Sequence, residues 1–123
     1  MVFSRRHDTH TMLVRSEMAV SSELVNTVLE RTREGKLTWE ELSLTGFLTR
    51  VGQTMIIIDR PHGGVTRPLM RITDENGKVL ETIEPADWGD TGQLLSEVYE
   101  LARRQALRVD ETLSDLKRSL DRL

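Results

Sequence analysis

Cysteine is absent from this 123-residue chain. That removes a disulfide framework, a thiolate zinc site and a cysteine nucleophile together. No apolar run approaches the length of a membrane span, and the residues after Met1 lack the apolar core of a signal peptide. A net charge of −3 gives no general reason to expect nucleic acid or an anionic membrane as partner. Catalytic signatures are missing too: there is no G-x-S-x-G elbow, no H-E-x-x-H, no phosphate-binding loop and no dinucleotide fingerprint. Only His62 of the three histidines lies inside the expected fold. These absences lead to the expectation of a cytoplasmic protein without cofactor or metal. Aromatic residues are scarce as well, at 4% of the chain with two tryptophans.

What is present suits a single modest core: 37% hydrophobic residues beside 30% charged ones. Residues 1–20 read as a flexible tail with a basic start at Arg5 and Arg6. Its His7-Asp8-Thr9-His10 cluster has two histidines at a helical metal-ligand spacing but no evident further ligands, so a mobile terminus is expected. Met12-Leu13-Val14 is its one apolar island.

Residues 21–123 read as one α+β domain. Ser21 or Ser22 suits the cap of a helix running to about Glu34 and stopped by Gly35. Leu24, Val25, Val28 and Leu29 form its apolar stripe. An irregular link from Lys36 to Leu44 carries Trp39, expected as a core anchor, and the solvated pair Glu40-Glu41.

A hairpin follows, with Gly52-Gln53 as a Gly-first turn that pairs Val51 with Thr54, Thr49 with Ile56 and Phe47 with Ile58 on a core face. The opposite face holds Leu48, Met55 and Ile57 and is too apolar for a face left in water. The second hairpin turns at Glu75-Asn76-Gly77. A three-residue turn with Gly77 left-handed sets Ile72 against Leu80, Arg71 against Glu81 and Asp74 against Lys78. The strands are thus expected at Gly46–Val51, Thr54–Asp59, Leu69–Asp74 and Lys78–Ile83, as a four-stranded antiparallel meander.

Between the hairpins, Arg60, His62 and Arg67 make a locally basic loop that two glycines open to an anion. After the sheet, Asp90 followed by Gln93 resembles a capping box, and Asp87 lies nearby. Trp88 either staples this loop to the core or stands out as a partner anchor.

The last third is expected as one long helix, Gln93 to Leu123. Leu95, Tyr99, Ala102, Ala106, Val109, Leu113, Leu116, Leu120 and Leu123 recur at alternating steps of four and three, the spacing of a heptad seam. About 30 helical residues extend on the order of 45 Å, farther than a small sheet is wide. Its character changes near Leu107 to Val109. Before that point Leu94, Val98 and Leu101 widen the apolar face; after it only the seam is apolar, amid Asp110, Glu111, Asp115, Lys117, Arg118, Asp121 and Arg122. The narrow stripe packs either on the chain's own first helix or on a partner.

Two stretches, Thr32-Arg33-Glu34-Gly35-Lys36-Leu37-Thr38-Trp39 and Val98-Tyr99-Glu100-Leu101-Ala102-Arg103-Arg104-Gln105-Ala106, resemble small stand-alone bacterial proteins without an assigned activity. The resemblance implies a bacterial origin and a shared fold from Ser22 to Leu123, and it carries over no site.

Three function classes follow. The first is a non-catalytic protein-interaction module, a homodimer or a small subunit of a bacterial complex. Its contact would be Val109, Leu113, Leu116, Leu120 and Leu123, with Leu48, Met55, Ile57 and Trp88 as further surface. The second binds nucleic acid or a nucleotide through Arg5, Arg6, Arg60, His62 and Arg67. The third is an enzyme using Asp87 or Asp90 in the Trp88 loop. The second class predicts steeply salt-dependent binding that weakens in Arg60→Ala with Arg67→Ala. A fluorescence titration with single-stranded oligonucleotide at low salt checks this, and the absence of binding there removes the class.

Overall fold

The computed structural model describes residues 20–61, 67–85 and 90–123. A helix, α1, covers residues 20–33. Five strands follow: β1 (Glu40–Glu41), β2 (Gly46–Val51), β3 (Thr54–Asp59), β4 (Leu69–Asp74) and β5 (Val79–Ile83). Two helices close the chain, α2 (Thr91–Ala106) and α3 (Val109–Asp121). The strands form one antiparallel meander in the order β1-β2-β3-β4-β5. The α+β class is therefore as expected. Among the described residues the strands are five rather than four, because Glu40-Glu41 pairs with Leu48 and Phe47 as a short edge.

Helix α1 begins earlier than a cap at Ser21 or Ser22 allows, since Val20 is already helical. Ser22 instead bridges to α2, its Oγ 3.0 Å from Thr91 Oγ1. The C-terminus of α1 closes as read from sequence. Gly35 takes φ +73°, Lys36 N–H donates to the Arg31 carbonyl at 2.9 Å and Gly35 N–H to that of Thr32 at 3.1 Å. This is the paired bonding of a glycine-terminated helix end.

The β2–β3 register matches the expected one at every pair, from Val51↔Thr54 to Phe47↔Ile58. Gly52 supplies the positive φ (62°) while Gln53 stays negative, as a Gly-first turn requires. The β4–β5 hairpin departs in part. Near the turn the three-residue geometry holds: Gly77 is left-handed (φ +88°), Asp74 N–H donates to the Lys78 carbonyl at 3.0 Å, and Thr73 faces Val79. A β-bulge then inserts Leu80 as an unpaired residue, so Ile72 faces Glu81 and Arg71 faces Thr82, not Leu80 and Glu81. Two residues opposing one is the ordinary content of a bulge.

The core lies between one sheet face and the pair α1–α2. It takes Val25, Val28 and Leu29 from α1, and Leu95, Val98, Tyr99 and Ala102 from α2. Trp39, Phe47, Ile56, Ile58, Met70 and Ile83 complete it. Trp39 is the anchor its size suggests: its ring is buried, Nε1–H donates to Thr32 Oγ1 at 3.1 Å, and its backbone N–H donates to Gln105 Oε1. Phe47 meets Tyr99 edge-on, with ring centroids 5.6 Å apart. Leu94 and Leu101 widen the α2 face from partly buried positions.

Replacing fully buried Ile58 with alanine is expected to cost about 2–5 kcal/mol. Leu116→Ala, outside this core, should shift stability by less than about 0.5 kcal/mol. Urea unfolding followed by tryptophan fluorescence checks both.

Candidate interaction surface

The long C-terminal helix is interrupted. Helix α2 ends at Ala106, Leu107 caps it by donating to the Arg103 carbonyl at 3.0 Å, and Arg108 turns left-handed at φ 53°. Arg108 is the one non-glycine residue with positive φ among those described. A left-handed residue cannot continue a right-handed helix, so the nine-residue seam is divided where its flanking chemistry changes.

Helix α3 then restarts. The Arg108 carbonyl accepts both Thr112 N–H and Thr112 Oγ1–H at 3.0 Å. Asp110 and Glu111 occupy its first turn and Arg118 its last, each sign matching the end of the helix dipole it sits on. Ion pairs brace its surface: Arg104–Asp110 across the break, Arg108–Glu111, Asp115–Arg118, and Lys117–Asp121 at 2.9 Å. These pairs are solvent-exposed and contribute little individually.

No residue of α3 is buried. Leu113, Leu116 and Leu120 are 52%, 52% and 57% exposed, and terminal Leu123 is fully exposed. Val109 is intermediate. Val109, Leu113, Leu116 and Leu120, expected at an interface, therefore share one helix side, and the three leucines are more than half exposed. Apolar side chains at steps of three and four on a solvated helix are the usual form of a helix that docks into a groove or onto another helix.

The other candidates fall elsewhere. Leu48 and Ile57 face each other on the second sheet face, as expected, but only 7% and 8% of each is exposed. Thr73 beside them is also buried, and Met55 is half-buried. The salt bridges Glu40–Arg50 (3.0 Å) and Asp59–Arg71 (3.3 Å) flank this row. Trp88, Asp87, His62 and the tail with Arg5 and Arg6 lie outside the described residues. The basic trio is thus represented by two members. Arg60 stacks its guanidinium over the Tyr99 ring at 5.1 Å. Arg67 is exposed, with Nη1 3.3 Å from where a Gly92 β-carbon would stand. Asp90 precedes α2 without a side-chain cap bond, so the capping box does not form; its carbonyl instead accepts Leu94 N–H at 3.0 Å.

Charge chemistry around α2 is structural. The Arg103 side chain hydrogen-bonds Glu100 and holds its carboxyl below the usual carboxylate range, against the opposing effect of partial burial. Lys36, and then Arg31, act likewise on exposed Glu34. Neither group is poised for proton transfer near neutrality. Shallow concavities are lined by Thr32, Arg33, Leu101, Arg104, Gln105 and Asp110, and by Leu24, Thr27, Val28, Leu37, Val51 and Ile56 with Arg31. Among the described residues, no group of three or more acidic or histidine side chains is placed to hold a metal ion. No described helix is long and apolar enough to cross a membrane.

No protein-family model matches this chain, no curated protein matches its sequence, and no solved structure matches it. The resemblance carried by residues 32–39 and 98–106 accordingly assigns no family.

Sequence reasoning found the α3 stripe from spacing alone. It missed the left-handed Arg108, for which no glycine or asparagine gave a signal. The shift from a wide to a narrow apolar face at Leu107 is the trace the break leaves in the sequence.

A 13-residue helix with no packed face is marginal in water. In the unassembled protein, amides of 112–121 should exchange by local opening, roughly 100-fold or more faster than those of Leu95 to Ala102. Hydrogen–deuterium exchange with mass spectrometry reads this, and a partner should restore the protection.

Proposed function

We propose that this protein is a non-catalytic interaction module whose docking element is α3, working as a homodimer or as a small subunit of a larger bacterial assembly in the cytoplasm. The observation that carries the reading is the leucine stripe of α3, more than half exposed at each helical position, on a helix that buries none of its own residues. A folded domain beside an unsatisfied apolar stripe divides the labour simply: the sheet with α1 and α2 supplies stability, and α3 supplies contact. Each large side chain of the stripe contributes roughly 1.5–3 kcal/mol when fully covered, enough in combination to hold a partner after the costs of association. The binding of anions through Arg60, His62 and Arg67 draws less support, because Arg60 is already engaged with Tyr99.

The test pairs Leu116→Glu with Leu120→Glu in the cells that make the protein. Unmodified chain is expected to migrate in a defined assembly, and the doubly substituted chain as a folded monomer with cooperative unfolding, its thermal midpoint lowered only by the lost assembly. An assembly that survives both substitutions, or an unmodified chain that stays at monomer mass both in the extract and when purified and concentrated to about 1 mM, would overturn the proposal.

A further inference from the structure

The charges of α3 are sorted along its length. Its first half carries Asp110, Glu111 and Asp115, with Arg108 at the N-cap; its second half carries Lys117 and Arg118, with Arg122 at the C-cap, against the single acid Asp121. The ion pairs of α3, including Arg104–Asp110 across the break, leave this polarity in place, since each is a surface pair of near neighbours able to exchange partners. Two such helices laid parallel would set acid against acid and base against base. Laid antiparallel, each acidic half meets a basic half.

We infer that the occupant of the α3 stripe is a second copy of this chain, its α3 running antiparallel about a two-fold axis. This rests on α3 being the docking element. The stripe agrees with the two-fold register. With Leu113 opposite Leu116 of the second copy, Val109 falls opposite Leu120 of the second copy, and the symmetry repeats both contacts. Every described member of the stripe then faces another, apart from Leu123 at the end. In the same register Asp110 lies close to Lys117 of the second copy, both at positions flanking the seam, while the other flank holds only Thr112 and Ser119. The charges thus favour this pairing, whereas in a parallel pair Lys117 would face Thr112 and gain no charge partner. A two-fold contact of this kind is isologous and closed, so it stops at two chains. A single short helix pair lies near the lower limit of specific interfaces, about 1,000–1,200 Å², and after the costs of association a dissociation constant in the micromolar range or above is expected.

The chain has no cysteine, which makes the arrangement directly readable. Val109→Cys and Leu120→Cys chains are prepared separately, then mixed and oxidised mildly. The antiparallel pair gives the mixed disulfide as the dominant product, with little cross-linking within either pure population. Disulfides forming mainly within each pure population would overturn the antiparallel arrangement. Sedimentation of the unmodified protein from about 1 µM to about 1 mM is expected to pass from one chain mass to two. Leu116→Glu with Leu120→Glu should raise the dissociation constant at least about 100-fold. Monomer mass throughout would overturn the second copy as occupant while leaving α3 free to dock elsewhere. A dimer indifferent to the two glutamates would instead overturn α3 as the docking element.

Discussion

One apolar layer holds this molecule together: the inner faces of β2, β3 and β4 closed by the pair α1–α2. Phe47, Ile58 and Met70 from the sheet and Val25, Leu29, Leu95 and Val98 from the helices are fully or almost fully withdrawn from water. Two polar groups in that layer are satisfied locally, Trp39 Nε1–H on Thr32 Oγ1 and the Thr32 hydroxyl on the Val28 carbonyl at 2.7 Å, whereas buried Arg60 Nε, on the guanidinium over Tyr99, has no hydrogen-bond partner among the described residues. Buried donors without partners are costly, so these bonds make the Trp39 position compatible with the core. Ties at the helix flanks, Arg33–Glu97 at 2.9 Å and Ser22–Thr91, set how α1 lies beside α2.

Because that layer is complete without α3, the C-terminal helix is released from any folding duty. The division falls at a single residue. Arg108 adopts a backbone conformation that costs about 1–2 kcal/mol for a side chain of this kind, and it sits where the wide apolar face of α2 gives way to the narrow stripe of α3. The core-forming helix and the exposed helix are therefore separate in structure as well as in composition.

Much of this was legible beforehand. Alternation of apolar residues with a Gly-first turn specified the β2–β3 register pair by pair, because a one-residue slip would turn Phe47, Ile56 and Ile58 out of the core. Gly35 and Gly77 marked their turns because only glycine takes positive φ at little cost. The misses have physical causes too. Glu40-Glu41 has no strand-like side chains, and its pairing comes from lying beside β2, a tertiary effect. The bulge at Leu80 trades the charge pair Arg71–Glu81 for a different register, a choice that pair rules do not rank. At Arg108 the backbone is left-handed without the residue type that announces it. The exposed α3 stripe was plain in its spacing.

The sheet's two margins bear on how copies of this protein can meet. An open strand edge invites another edge to add to it without limit. Here one edge is a two-residue strand made only of glutamates, which repels its like, and the other is kinked by the extra residue at Leu80. Both margins are thereby poor templates for growth by strand addition. Association through strand edges is disfavoured, and the antiparallel α3 pair proposed above would close on itself without offering an edge for fibre growth.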